Sequence, residues 1–215
     1  MDKIDVLNKM RKEKFVSVIR MDDAEKAIDV VKQISEGGIN LIEITLTVPK
    51  AIEIISKLSA YFDGSNTLIG AGTVLDEISC REAILAGAEY IISPNFDKGV
   101  ARICNLYRKV YIPGVFTPED VQTALEWGCD ILKLFPATML KPRVIKDLKA
   151  PFPQANFIIS GGMSKDSVND WLDAGAMCIA LGGALTRAGG EEGIIGNAKY
   201  FSEIAKNYNN IKQEE

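Results

Sequence analysis

Short apolar runs rich in β-branched residues alternate with longer amphipathic stretches along all of the 215-residue chain. This alternation is typical of repeated βα units that build a parallel sheet. Eight runs are predicted to be strands, with starts 20 to 27 residues apart: Phe15–Arg20, Leu41–Leu46, Leu68–Val74, Tyr90–Pro94, Val110–Val115, Ile131–Pro136, Asn156–Gly161 and Met177–Leu181. No interval is long enough for a second domain, so we expect one domain over residues 1–215.

The segments between these strands have helical periodicity. They are Ala24–Glu36, Ala51–Phe62, Glu77–Ala86, Lys98–Tyr107, Pro118–Trp127, Pro142–Lys149 and Lys165–Ala174, with Lys3–Lys14 as a leading helix and Asn197–Tyr208 as the last outer helix. Eight βα units most simply close as an α/β (β/α)8 TIM barrel, here with an extra N-terminal helix. An open doubly wound sheet is the alternative, but the glycine-rich turns follow strands three, seven and eight rather than strand one.

Composition excludes several kinds of chemistry. The chain has no His, which rules out Ser-His-Asp and Cys-His triads and His-ligated zinc. The 4 Cys are far apart and form no C-x-x-C pair, so we expect reduced thiols and no metal site. A net charge of −4 argues against nucleic acid as a partner. Because no leader and no apolar run of membrane length is present, we expect a cytoplasmic protein without a membrane partner.

Four predicted strands carry a polar or charged residue where a buried parallel strand should be apolar. In the second strand the two neighbours of Glu43 would face the helices, so Glu43 points into the barrel. The same alternation points Lys133 inward from the sixth strand. Arg20 and Thr73 end the first and third strands on the interior side. All four lie toward the C-terminal strand ends, where barrels of this kind build active sites.

Lys133 and Glu43 form the chemically most informative pair. An apolar enclosure disfavours the charged form of a lysine, so a neutral nucleophilic amine becomes available. A neighbouring glutamate favours the ammonium form, but it also supplies the proton acceptor that a chain without His needs. Purely structural roles for these residues stay open. Lys133 and Glu43 could form a structural ion pair, the Arg20 side chain could only reach the surface, and Thr45 and Thr73 could be ordinary strand residues.

Glycine clusters are the second feature of the sequence that indicates a ligand site. Ser160-Gly161-Gly162 follows the seventh strand and Gly182-Gly183 follows the eighth, where many barrels bind phosphate through backbone N–H groups and a short helix. Gly70 and Gly72 would let backbone come close to a ligand at the third strand. Plain tight turns are the alternative for each isolated pair.

Five short motifs occur in order between about Phe15 and Leu185. They are Ile42-Glu43-Ile44-Thr45-Leu46, Gly70-Ala71-Gly72-Thr73-Val74, Ile92-Ser93-Pro94, Pro113-Gly114-Val115 with Thr117-Pro118, and Leu132-Lys133-Leu134-Phe135-Pro136-Ala137. In these the chain resembles the 2-keto-3-deoxy-6-phosphogluconate (KDPG) and 4-hydroxy-2-oxoglutarate (KHG) aldolase family. The resemblance implies a class I lyase without metal or cofactor, a 2-keto acid substrate, pyruvate as product, and a homotrimer.

The resemblance also implies roles for individual residues. Lys133 is similar to the Schiff-base lysine and Glu43 to the acid/base that moves protons. The pyruvyl end of the substrate would be held by Gly72, Thr73, Pro94 and Phe135. Arg20 would contact an anion at the distal end, and the expected phosphate-binding residues are Ser160, Gly161, Gly162, Gly182 and Gly183.

Three departures from the family pattern concern the aldehyde end of the substrate. Thr47 stands where many members have Arg, Ser160 follows Ile159 where Pro-Thr is usual, and Gly183 replaces a Ser that would donate to phosphate. The substrate therefore stays open among KDPG, its galactonate epimer and unphosphorylated KHG. Two other classes also stay open: a phosphate-binding isomerase or synthase barrel, and a sugar-acid binder without catalysis.

Overall fold

The computed structural model describes residues 1–187 and 190–214. Within these residues nine parallel strands form one sheet in the order β5-β4-β3-β2-β1-β9-β8-β7-β6. Only Pro113 separates β5, which pairs with β4, from β6, which pairs with β7, so the sheet closes on itself at this point. The predicted (β/α)8 barrel with its additional N-terminal helix is thereby confirmed. One domain over residues 1–215 stays a prediction.

The strands are β1 (Phe15–Ile19), β2 (Leu41–Thr45), β3 (Leu68–Gly72), β4 (Tyr90–Ile92), β5 (Val110–Ile112), β6 (Gly114–Val115), β7 (Leu132–Leu134), β8 (Phe157–Ser160) and β9 (Cys178–Leu181). The helices are α1 (Lys3–Glu13), α2 (Ala24–Glu36), α3 (Ala51–Tyr61), α4 (Glu77–Leu85), α5 (Lys98–Leu106), α6 (Pro118–Glu126), α7 (Val144–Lys149), α8 (Val168–Asp173), α9 (Gly183–Thr186) and α10 (Gly190–Glu214). A 3₁₀ turn covers Ala137–Met139.

Most predicted elements have ends shifted by one to three residues in the structure, and the larger differences concern the fifth strand and the last helix. The fifth strand is split because Pro113 has no N–H to donate, although its carbonyl still accepts a 2.8 Å hydrogen bond from the Lys133 amide. The last helix begins at Gly190 instead of Asn197. Glycines weaken the helical pattern there, but burial of Ile194 and Ala198 stabilises the helix. The short helix α9 and the 3₁₀ turn were not predicted as separate elements.

Side chains fill two layers. Alternate strand residues such as Ile42, Ile44 and Leu132 face outward and pack against the surrounding helices. The opposite set fills the barrel interior, where Val6 and Met10 of α1 pack against the N-terminal strand ends and close them. This closure leaves the C-terminal strand ends as the open mouth of the barrel.

The remaining sequence expectations concern thiols and membrane segments. Cys80, Cys104, Cys129 and Cys178 are free and buried. Over the residues that the structure describes, no helix is both long and apolar enough to cross a bilayer.

Candidate active site

Lys133 and Glu43 face each other inside the barrel. Lys133 is the central residue of β7 and Glu43 the central residue of β2, and the Lys133 Nζ atom lies 3.8 Å from Glu43 Oε1. The side chains are 9% and 1% exposed. This distance makes an ion pair but is too long for a hydrogen bond. The structure therefore brings together the two residues that the strand alternation pointed inward.

Two glycines of β3 make room for large side chains that point into the barrel. A Cβ atom at Gly72 would lie 2.0 Å from Glu43 Oε1. A Cβ atom at Gly70 would lie 2.2 Å from the ring of Tyr90, which enters the interior from β4. Neither position tolerates a side chain without movement of its neighbour. The absence of side chains at Gly70 and Gly72 therefore leaves the space that Tyr90 and Glu43 fill.

Burial and two nearby positive charges act in opposite directions on the pKa of the Glu43 carboxyl. Burial raises the pKa of the Glu43 carboxyl, and the positive charges of Lys133 and Arg20 oppose that rise. Neither carboxylate oxygen receives a hydrogen bond from any group in residues 1–187 or 190–214. Both oxygens are thus available to a substrate hydroxyl or a water molecule.

Arg20 and Thr73 meet at the mouth of the barrel beside this pair. Arg20 follows β1 and is exposed, and its Nη2 atom donates a 3.2 Å hydrogen bond to Thr73 Oγ1. Thr73 follows β3 with a positive φ of 58°, which turns the chain away from the strand. The Arg20 guanidinium is thus exposed at the mouth, and its positive charge acts on Glu43.

Thr47 lies on the loop after β2 and is exposed. Its hydroxyl pairs with that of Thr45 at 2.8 Å, and the Thr45 hydroxyl also lies within hydrogen-bond distance of the Ile19 carbonyl, 2.9 Å away. These contacts tie the ends of β1 and β2 together. Among the described residues, no hydrogen bond joins Thr47 to Lys133 or Glu43.

Pro94 and Phe135 lie on one side of the pair and line the same cleft. The Phe135 ring centroid is 5.3 Å from Lys133 Nζ, so the amine lies over the face of the ring. Gly114 lets β6 approach the Pro94 carbonyl, since a Cβ atom there would lie 1.9 Å from that oxygen. The cleft therefore depends on a close contact between two strand ends.

The predicted glycine turns line a separate cleft of about 330 Å³ on the other side. Ser160 ends β8 and is 7% exposed, Gly161 and Gly162 have positive φ values of 109° and 71°, and Gly182 and Gly183 lead into α9. Because Ile158 of β8 pairs with Lys133, Ser160 lies two residues farther along the neighbouring strand. The cleft thus lies at the ends of the strands that follow β7 in the barrel.

Two residues of this region were missed by sequence reasoning. Tyr90 is fully buried, and its hydroxyl has no partner in the described part of the chain. Burial and the nearby Glu43 charge raise its pKa well above the ordinary range. Arg187 lines the glycine cleft from the end of α9. The sequence alone carries no signal for either residue, because Tyr90 lies in an apolar run and Arg187 follows an ordinary glycine pair.

The arrangement as a whole combines three chemical capacities. A buried amine lies beside a carboxylate whose oxygens accept no hydrogen bond from the described residues, an aromatic ring lies 5.3 Å from the amine, and a glycine-lined cleft lies at the ends of the following strands. An amine of this kind is suited to attack a carbonyl, and a carboxylate at this distance is suited to move the associated protons.

Comparison with known proteins gives a consistent picture. The family model described as KDPG and KHG aldolase matches residues 6–194. The 2-dehydro-3-deoxy-6-phosphogalactonate aldolase of Escherichia coli K12 is 33% identical over 176 residues, which are 81% of this chain and 85% of that protein. The crystal structure of 2-keto-3-deoxy-6-phosphogluconate aldolase from Zymomonas mobilis ATCC 29191 matches with a TM-score of 0.82 and 28% identity, covering 92% of this chain and 96% of that one.

A third relative carries information on chemistry. The KDPG aldolase of Legionella pneumophila, solved with pyruvate captured at low pH as a covalent carbinolamine intermediate, matches with a TM-score of 0.77 and 26% identity. The match covers 92% of this chain and 94% of that one.

Proposed function

The chain belongs to the KDPG and KHG aldolase family and is an aldolase, hence a lyase, and on that premise we propose that it cleaves 2-keto-3-deoxy-6-phosphogluconate reversibly to pyruvate and glyceraldehyde 3-phosphate. The reaction proceeds through a Schiff base on Lys133, with Glu43 as the acid and base. KHG, which would give pyruvate and glyoxylate, is a second substrate of the same site. The observation that carries the proposal is the buried Lys133 amine 3.8 Å from the Glu43 carboxylate.

In the first half of the reaction the neutral Lys133 amine attacks the C2 ketone of the substrate and forms a carbinolamine. Glu43 donates a proton to the departing hydroxyl, and water leaves as the protonated imine forms. The raised pKa of Glu43 supports this step, because burial keeps a proton on the carboxyl at higher pH than usual. The covalent pyruvate of the Legionella pneumophila relative supports the same chemistry here.

In the second half the C3–C4 bond breaks. Glu43, or a water molecule it holds, takes the proton of the C4 hydroxyl, the aldehyde leaves, and the electron pair of the broken bond moves into the imine to give an enamine. A proton then adds to C3, and water hydrolyses the imine to pyruvate and free Lys133. Protons and electrons balance without a redox partner, so we propose that the reaction needs no metal or cofactor and continues in EDTA.

The neighbouring residues have positioning roles in this scheme. Thr73 and the backbone at Gly72 bind the pyruvyl carboxylate, and Pro94 and Phe135 cover the imine. Arg20 contacts an anionic or hydroxyl group of the substrate at the mouth. Ser160, Gly161, Gly162, Gly182 and Gly183 bind the distal phosphate, and Thr47 borders the path between the two ends.

Family membership sets aside the isomerase, synthase and non-catalytic alternatives. A substrate panel tests the proposal: KDPG, its galactonate epimer and KHG are each supplied, and pyruvate release is followed with lactate dehydrogenase and NADH. Cleavage of KDPG with the highest kcat/KM is the expected result. A higher kcat/KM for the galactonate epimer or for KHG would reassign the substrate but keep the mechanism, and no cleavage of any of the three would overturn the proposal.

We further propose that the protein is a cytoplasmic homotrimer. Three large apolar side chains on the adjacent helices α4 and α5 support a contact between subunits: Ile78, Leu85 and Leu106 are 70%, 68% and 66% exposed. Light scattering after size-exclusion chromatography is expected to give three times the chain mass. A monomer mass at micromolar concentration would contradict the trimer.

A further inference from the structure

Arg187 occupies the space that a side chain at position 183 would need. A Cβ atom at Gly183 would lie 2.7 Å from Arg187 Nε, 3.0 Å from its Cδ and 3.2 Å from its Cζ. The Arg187 amide donates a 3.0 Å hydrogen bond to the Gly183 carbonyl, so the two residues are one helical turn apart. Side chains on a helix lean toward its N-terminus, which carries the guanidinium back over Gly183.

Among the side chains that the structure describes, none competes for the Arg187 guanidinium. Among the described residues Arg187 forms no ion pair and no side-chain hydrogen bond. It is exposed to the cleft that Ser160 and the four glycines line. The other titratable charges of the site, Lys133, Glu43 and Arg20, do not line this cleft. Arg187 is therefore the cation that the cleft presents to a ligand.

We infer that Arg187 is a specificity-determining residue that binds the distal phosphate of the substrate, and that glycine at position 183 is required because it admits the Arg187 side chain. The inference rests on the proposed function and deepens it. It also accounts for the glycine at position 183, where the family usually has a serine. The hydroxyl donor that Gly183 lacks is replaced by a guanidinium, which can form two parallel hydrogen bonds to a phosphate.

The position of the cleft relative to Lys133 fits this assignment. Lys133 lies on β7, Ser160 on the neighbouring β8, and Gly182 and Gly183 follow β9, the next strand. Neighbouring strands are about 4.8 Å apart, so the path from β7 to β9 is roughly 10 Å. A 2-keto acid bound through C2 to Lys133 can therefore extend its far end across β8 toward Arg187.

The first test compares two aldehydes that differ only in the phosphate. Pyruvate is condensed with glyceraldehyde 3-phosphate or with glyceraldehyde, using wild type, Arg187→Ala and Arg187→Lys. In Arg187→Ala, kcat/KM for the phosphorylated aldehyde is expected to fall at least about tenfold through KM, while the value for glyceraldehyde stays unchanged. Arg187→Lys should fall between wild type and Ala, because it keeps the charge but loses the planar pair of donors.

The second test uses the contact between the two residues. Gly183→Ala is expected to displace the guanidinium and to raise KM for glyceraldehyde 3-phosphate about as much as Arg187→Ala, and the double variant should be no worse than either single variant. Additive losses in the double variant would overturn the coupling. Gly196→Ala is the matched control, because nothing lies within 4 Å of a Cβ atom there.

A third measurement separates phosphate binding from charge in general. Competitive inhibition by glycerol 3-phosphate should weaken in Arg187→Ala but not in Arg11→Ala, which removes a positive charge from α1 at the closed end of the barrel. Equal inhibition of wild type and Arg187→Ala would overturn the inference. Failure of wild type to condense either aldehyde would instead overturn the proposed aldolase reaction, so the two failures are distinguishable.

Discussion

Gly72 and Glu43 are in direct contact across neighbouring strands, and the missing side chain of the first is what allows the second to lie inside the barrel. A Cβ atom at Gly72 would approach Glu43 Oε1 to 2.0 Å and its Cδ to 2.6 Å. The carboxylate held in this way is 3.8 Å from the Lys133 amine. The geometry of the pair thus depends on a backbone position that itself carries no functional group.

Gly72→Ala is expected to displace the Glu43 carboxylate and to destabilise the fold by about 1–3 kcal/mol, as overpacking of a tight interior does. Urea unfolding measures the stability change, and KDPG cleavage at saturating substrate measures the catalytic change. Gly70→Ala is the comparison, since its Cβ atom would strike the Tyr90 ring instead. If Gly70→Ala lowers kcat as deeply as Gly72→Ala, displacement of the carboxylate is not the cause.

Lys133→Ala is expected to reduce aldol cleavage to the uncatalysed background, because Lys133 is the only lysine among the described side chains that pairs with Glu43. Lys133→Met is the matched variant, since it removes the amine at nearly constant volume and leaves the barrel interior filled. Circular dichroism and thermal unfolding establish that both variants fold. Residual turnover within tenfold of wild type in either folded variant would contradict a Schiff base at this position.

Glu43→Gln is expected to lower kcat by about 10²- to 10⁴-fold, the usual contribution of a positioned acid or base. The imine should still form slowly, because the nucleophile is intact. Single-turnover mixing with pyruvate followed by borohydride reduction measures the imine separately from turnover. A variant that keeps wild-type kcat would show that another group moves the protons.

The stability of wild type relative to Glu43→Gln should fall as pH rises. The folded carboxyl has its pKa raised above the ordinary 4.5, so between the unfolded and folded values the native state binds more protons than the unfolded state. Stability then decreases through that window, whereas a glutamine does not titrate. Urea unfolding of both proteins at pH 4, 5.5 and 7 measures this relative stability. A wild type that gains stability relative to Glu43→Gln as pH rises would contradict the raised pKa.

Met10→Ala is expected to cost about 2–5 kcal/mol of stability without a change in kcat. Met10 on α1 is 0% exposed and packs into the closed end of the barrel, opposite the mouth. Urea unfolding tests the loss of stability. KDPG turnover at a temperature where the variant is folded tests the unchanged kcat. A fall in kcat comparable to that of Glu43→Gln would show that the closed end influences the site.

The sequence was most informative where burial forces a strict alternation. The period of two in β2 and β7 is sufficient to place Glu43 and Lys133 on one side, because their neighbours must face the helices. It was less informative about strand ends. β3 ends before Thr73, which has a positive φ, and the predicted fifth strand is divided at Pro113. Neither feature changes the hydrophobic pattern of the sequence.

Tyr90 and Arg187 escaped prediction for different reasons. An aromatic residue in an apolar run gives no sign of its direction, and only the contact with Gly70 shows that Tyr90 points inward. Arg187 follows a glycine pair that was expected to form a phosphate-binding turn on its own. Its approach to Gly183 depends on the short helix α9, which four residues of sequence do not specify.

Reductive trapping is the most direct test of the central claim, the imine on Lys133. The protein is incubated with pyruvate, reduced with sodium borohydride, digested and examined by mass spectrometry, with Lys133→Met treated in parallel. A reduced pyruvyl adduct on the peptide that contains Lys133, absent from the variant, is the expected result. A folded wild-type protein that yields no adduct, or an adduct on another lysine, would contradict it.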